Sequence, residues 1–186
     1  MSEALWALGR GTGVVALILF TISIVLGIIT RSGRPAITLP RFGVTLLHRN
    51  ASLLGSVFVV IHIISLFFDP YSKLTVIDSV VPFLGTVKPF WLGLGTVAFD
   101  LALALVITGL LRQRIGQKAF RVIHWFSYAM WPIALIHSIG NGTDAGSGWF
   151  IALAVLCTGT VVGCTIWRLT PSFIEYSDRR PEEVPK

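Results

Sequence analysis

At 186 residues, 54% of them hydrophobic and 13% charged, with a mean hydropathy of +0.78, the chain has too little polar surface for a soluble globular domain. Its net charge of +6 requires no nucleic-acid partner, because basic loops facing anionic lipid account for it. The composition describes one integral membrane domain.

Five apolar stretches are long enough to cross a bilayer, at about residues 12–30, 45–68, 90–111, 120–140 and 148–169. The first is too long for the apolar core of a signal peptide, and Thr30-Arg-Ser-Gly-Arg34 after it offers no small-residue cleavage site, so it reads as a retained helix. The second opens near His48 and closes beyond His62. A mildly polar connection over about Asp69–Lys88 follows, which either lies in the membrane interface or turns back into the protein. The third stretch carries Asp100 near its middle, and the fourth carries His124, Pro132 and His137. Asn141-Gly-Thr-Asp144 is a turn by composition. The fifth holds Cys157 and Cys164, one heptad apart and unable to reach each other along a rigid helix. Residues 1–170 form the membrane domain, and the Pro- and charge-rich residues 171–186 read as a short solvated cytoplasmic tail.

Basic residues beside helix ends are retained on the cytoplasmic side. Arg31, Arg34, Arg41 and Arg49 follow the first stretch, Arg112, Arg114, Lys118 and Arg121 the third, and Arg168, Arg179, Arg180 and Lys186 the fifth. Only Arg10, Lys73 and Lys88 fall on the opposite side. Twelve against three places the N-terminus outside and the C-terminus in the cytoplasm, and makes the second and fourth stretches parallel.

Those two stretches carry all four histidines of the chain, as the pairs His48/His62 and His124/His137. At about 1.5 Å per residue, separations of 14 and 13 residues put the imidazoles roughly 21 Å and 19.5 Å apart along their helices, one toward each leaflet. Parallel helices then bring His48 level with His124 and His62 level with His137, so that each couple clamps an iron at its own depth. Any one histidine could simply hydrogen-bond a neighbour. Four ionisable side chains at matched depths inside a membrane point instead to function, and neutral imidazole is a common axial ligand of haem. No Cys-x-x-Cys-His occurs, so the two haems would be b-type, held without a covalent link.

Helical phase supports one pair more readily than the other. Fourteen residues bring His48 and His62 within about 40° of one face, with Gly55 midway and Ser52 and Ser56 leaving that face shallow enough for a flat macrocycle. Thirteen residues leave His124 and His137 about 140° apart on an ideal helix, and Pro132 between them is expected to kink or rewind the segment.

From about Gly9 to Trp167 the sequence resembles the ferric reductase-like transmembrane domain shared by ferric reductases, NADPH oxidases and the haem-bearing membrane subunit of bacterial methionine sulfoxide reductase systems. The resemblance is carried by Gly9-Arg10, by HRNASLLGSVFVVIH from His48 to His62, and by Asp100-Leu-Ala with Thr108-Gly-Leu-Leu-Arg112. His124-Trp125 with Tyr128, and His137-Ser-Ile-Gly-Asn-Gly-Thr-Asp144, complete it. It implies that His48 and His124 ligate an inner haem iron, that His62 and His137 ligate an outer one, and that electrons cross the membrane singly between them. The reductases and oxidases continue into a flavin- and nicotinamide-binding region. This sequence stops soon after the fifth stretch, so any flavin is expected on a separate partner.

Other residues have paired readings. Asp100 is either a proton relay beside the haems or a neutral acid bonded to a neighbouring hydroxyl. Arg10, Lys73 and Lys88 could pair the propionates of the outer haem, and Arg41, Arg49 or Arg121 those of the inner one, although topology alone explains such cations. Met130 and Trp131 either fill the gap between the haems or only pack. Trp6, Trp91, Trp149 and Trp167 read as interfacial anchors.

The expected fold is therefore all-helical, with five spans, in a bacterial plasma membrane. The expected function is that of a di-haem electron-transfer protein, passing electrons from a cytoplasmic donor to ferric iron, oxygen or a redox protein outside. The alternatives are a quinol-linked subunit that anchors and reduces an extracytoplasmic redox protein, and a haem-free structural or transport protein.

Overall fold

The computed structural model describes residues 2–33 and 39–175. The chain forms eight helices: α1 (Ser2–Arg31), α2 (Arg41–Phe67), α3 (Val76–Val80), α4 (Pro89–Leu110), α5 (Arg112–Ile115), α6 (Gln117–His124), α7 (Ser127–Asn141) and α8 (Gly148–Leu169). Among the described residues there is no strand, only an isolated bridge between Ser32 and Glu175. Five spans are long and apolar enough to cross a membrane: α1, α2, α4, α8, and α6 with α7 counted as one. Of the cations used above to orient the chain, Arg34, Arg179, Arg180 and Lys186 lie outside the described residues.

The ends of the spans follow local chemistry. α1 has Glu3 in its first turn and Arg31 in its last, both matched to the helix dipole. It starts well ahead of residue 12, so the polar run GRGTG at 9–13 is helical and not a flanking loop. Pro40 precedes α2, and Pro89 occupies the first turn of α4, where a missing N–H costs no helical bond.

α1 is the central helix. It packs most extensively on α2 and also meets α7 and α8, while α4 pairs chiefly with α7. Ala16, Leu17, Phe20, Ile24 and Ile28 of α1 form one core with Trp131, Leu135, Cys157 and Val161. Val57, Val60, Ile107, Val155, Leu156 and many other apolar side chains face outward, the arrangement expected where the surrounding solvent is lipid.

The fourth span is broken, and not at its proline. Pro132 lies within α7, whereas α6 stops at His124 and α7 begins at Ser127. Across the break, Trp125 N–H donates to Val122, Phe126 N–H to Ile123, Tyr128 N–H to Trp125 and Ala129 N–H to Phe126, each three residues back. Each residue wound this way turns about 20° further than in an α-helix. Four such residues recover about 80° of the 140° by which His124 and His137 are out of phase.

The connection after α2 turns back onto the protein. Thr75 and Asp78 form a capping box on α3, and Thr96 Oγ1 of α4 donates to the Asp78 carbonyl at 2.6 Å. After α8 the chain folds back as well: Phe173 packs edge-on against Trp167, Gly33 N–H donates to Ile174 O, and Arg31 pairs with Glu175 at 2.9 Å. Phe173, Ile174 and Glu175 thus rest against α1 and α8, while Pro171 and Ser172 are exposed; the remainder of the expected tail lies outside the described residues.

Candidate functional site

The histidines form two groups, one at each end of the bundle. At the end marked by Arg168, the rings of His48 and His124 lie 6.0 Å apart between centroids, with planes 79° from parallel. Metal–imidazole bonds of about 2.0–2.1 Å, with about 1.1 Å from ring nitrogen to ring centre, put two rings on opposite sides of one ion at roughly 6.3 Å. At the end marked by Arg10, His137 lies within electrostatic reach of His62. α2 and the α6–α7 span therefore run the same way, with His48 beside His124 at one end and His62 and His137 both at the other, about 21 Å away along α2.

Three of the four imidazoles are oriented in one manner. His62 Nδ1 donates to the Gly9 carbonyl at 2.7 Å, His48 Nδ1 to the Ser23 carbonyl at 2.8 Å, and His137 Nδ1 to the Trp91 carbonyl at 2.7 Å. In each case Nδ1 carries the proton, leaving Nε2 unprotonated with its lone pair available for a metal. Ser23 adds a closed relay at His48: its hydroxyl bonds Ser52 at 2.7 Å, and the Ser52 hydroxyl donates to the His48 carbonyl at 2.7 Å.

Each ring also rests on a glycine. A Cβ built on Gly13 would lie 3.1 Å from His62 Nδ1, one on Gly27 3.3 Å from His48 Cε1, and one on Gly95 2.5 Å from His137 Cε1. These glycines stand four residues after the accepting carbonyls, so each notch is one helical turn whose carbonyl faces the ring and whose next turn has no side chain to hold it off.

The fourth histidine differs. His124 stacks on Phe120 at 5.0 Å, and among the described residues its Nδ1 is the buried side-chain polar atom without a hydrogen-bond partner. The cation beside it is Arg168, with a side chain only 15% exposed, which donates to Tyr128 Oη at 2.5 Å and lies 4.7 Å from the Trp125 ring centre.

Other anticipated residues fall at varying distance from these groups. Phe20 and Leu19 of α1 cover Gly55, so this glycine serves the α1–α2 contact and does not leave an open surface between the histidines. Arg10 follows the carbonyl that holds His62, but it is committed to an ion pair with Asp144 and to the Trp6 ring, 4.0 Å away. Arg49, Arg121, Lys73 and Lys88 are exposed, and Arg41 donates to the Ser32 carbonyl. Asp100 is exposed on α4, with no hydrogen bond or ion pair among the described residues. Met130 and Trp131 are buried in the α1 core, where Trp131 Nε1 donates to Thr21 Oγ1 at 2.9 Å.

Trp91, read from sequence as an interfacial anchor, also supplies the carbonyl that holds His137, while its ring fills the space beside Gly140. Gly9, Gly13, Ser23, Gly27 and Gly95 were not anticipated in this role. The available signal was the 14-residue interval from Gly13 to Gly27, which equals that from His48 to His62 on the helix packed against it.

Among the described residues no three His, Cys, Asp or Glu side chains come together to hold a bare metal ion. Paired imidazoles with free Nε2 atoms fit a metal whose remaining ligands come from a macrocycle, and two axial histidines with haem satisfy that condition. No curated protein and no solved structure matches the chain. A family model described as "Ferric reductase like transmembrane component" matches residues 12–135, more than half of the chain, with His48, His62 and His124 inside the match and His137 just beyond it. The chain therefore belongs to the ferric reductase-like transmembrane family, whose character as a membrane electron-transfer component it shares.

Proposed function

We propose that the protein holds two b haems and carries electrons across a membrane, from a separate cytoplasmic donor to an acceptor on the outer side. His48 and His124 would hold the haem at the cytoplasmic level, and His62 and His137 the one at the outer level. The observation that carries this reading is the 6.0 Å separation of the His48 and His124 rings, a distance suited to one ion between them. It is supported by the three Nδ1–carbonyl bonds that leave Nε2 free.

Bound haem would supply reversible one-electron chemistry at two depths. The protein's part is to hold the ligands in one tautomer, to exclude water with the apolar α1 core, and to place cations beside the two ends. Arg168 next to His124 is the candidate for neutralising a propionate by charge-assisted hydrogen bonds. The basic connections between spans support reading the Arg168 end as the cytoplasmic one, with a bacterial plasma membrane as the expected setting. Donors of suitable chemistry are a flavoprotein or quinol; acceptors are ferric complexes, oxygen or an extracytoplasmic redox protein.

Pyridine haemochrome measured against protein concentration tests the cofactor, with two haems per chain expected; a ratio near zero overturns the reading. Oriented vesicles loaded with a reductant on the Arg168 side test the path. Wild-type protein should reduce an impermeant ferric complex on the far side, and His62→Ala should stop that transfer while the cytoplasmic haem still reduces. Transfer that survives His62→Ala would refute an exit through the outer haem.

A further inference from the structure

Each ring that finds an acceptor rests on a glycine of the helix packed beside it, and in α1 the two notch glycines, Gly13 and Gly27, are 14 residues apart. α4 has the same interval. Gly95 serves His137, and 14 residues on stands Gly109, where a Cβ would meet nothing within 4 Å. The residue four before it, Leu105, corresponds to Ser23, Gly9 and Trp91 at the other three positions. His124 is the ring without an acceptor.

Axial register agrees. In α1 and α2, fourteen residues on one helix match fourteen on its antiparallel neighbour. In α4 and the α6–α7 span, fourteen on one side, from Gly95 to Gly109, face thirteen on the other, from His137 back to His124. The tighter winding after His124 makes up the difference, because such residues rise about 2.0 Å each instead of 1.5 Å. Thirteen residues with four wound this way span about 21.5 Å, against about 21 Å for fourteen α-helical ones.

We infer that Gly109 is the fourth notch and that the Leu105 carbonyl accepts the proton of His124 Nδ1 in the haem-loaded protein, making Gly109 and Leu105 positioning residues for the cytoplasmic haem. The inference rests on the two-haem reading above. Arg168, also near His124, cannot take this role, since a guanidinium offers only donors and an imidazole bound through Nε2 must donate from Nδ1. Such a bond raises the basicity of the ligand and so favours ferric over ferrous iron.

The test is Gly109→Ala in purified full-length protein, beside Gly163→Ala, which adds a methyl to a similarly open position on α8. In Gly109→Ala the midpoint potential of the cytoplasmic haem should rise and its ferric low-spin resonance should change, while the outer haem keeps both values; Gly163→Ala should match wild type. A mere packing defect would not move one haem's potential selectively. Two haems with unchanged potentials and ferric spectra in Gly109→Ala would overturn the inference and leave the two-haem reading intact, whereas wild-type protein without haem would overturn both. Should Gly109→Ala fail to fold, the structure of the haem-loaded wild type decides: His124 Nδ1 beyond hydrogen-bonding distance of Leu105 O overturns the inference.

Discussion

Gly95→Ala should remove the outer haem while leaving the cytoplasmic one, although alanine is the better helix former and the site lies within a long helix. The added methyl would sit 2.5 Å from His137 Cε1, 2.7 Å from Nδ1 and 3.0 Å from Nε2, overlapping one whole edge of the ring, so no small rotation relieves it. Either the ring moves away or α4 separates from α7. Overpacking of this kind costs about 1–3 kcal/mol, and loss of the Nδ1–carbonyl bond adds about 0.5–1.5 kcal/mol. The total of about 1.5–4.5 kcal/mol corresponds to a roughly ten- to thousandfold loss in affinity for the outer haem. Haem titration of apoprotein, with the two haems resolved by potential or by low-temperature spectrum, measures it. Gly27→Ala provides the scale, because its methyl would stand 3.3 and 3.5 Å from His48, close to ordinary contact, and should cost far less. Equal haem affinity in Gly95→Ala and wild type would refute the notch as the element that seats His137.

His48→Ala and His124→Ala should abolish the same spectral component and spare the other, as assayed by reduced-minus-oxidised spectra and haem content of folded protein; loss of different components would mean that the 6.0 Å pair does not share an iron. Asp100→Leu should leave both haems and their potentials unchanged, since this exposed side chain has no partner among the described residues; a shift in either potential under redox titration would contradict that placement.

The spans were legible because a membrane imposes one simple rule, a run of about 20 apolar residues, and Glu3–Arg31, Arg41–Phe67, Pro89–Leu110, Gln117–Asn141 and Gly148–Leu169 obey it. What composition could not supply was winding. Pro132 is the obvious breaker in the fourth span, yet it is accommodated inside α7, and the helix gives way at Trp125–Phe126, where neither residue is a strong helix breaker. Tertiary contacts gather at that break: Arg168 from α8 lies over the Trp125 ring and bonds Tyr128 one turn later, joining residues some forty positions apart. No window on a single helix contains that information.

The same limit separates the two shells of the candidate site. Histidines stand out in a membrane span because an ionisable side chain there is expensive, so the proposed ligands could be picked out from residue type and spacing alone. Their acceptors are backbone carbonyls, which every residue possesses, and only the helix packed alongside selects Gly9, Ser23 and Trp91 from the rest. A trace survives in sequence because the ring must approach the helix closely, and close approach demands glycine one turn beyond the carbonyl. Gly13 with Gly27 preserves the 14-residue spacing of His48 and His62 on the partner helix, whereas Gly95 and Gly109 stand 14 apart beside histidines 13 apart. Glycines in an apolar span are ordinarily read as helix-packing residues, and Gly55 is one of those. Interval distinguishes the two uses: a glycine that seats a histidine ring is expected to repeat at about the vertical spacing of the histidines, whereas one that serves helix contact need only lie on the shared face.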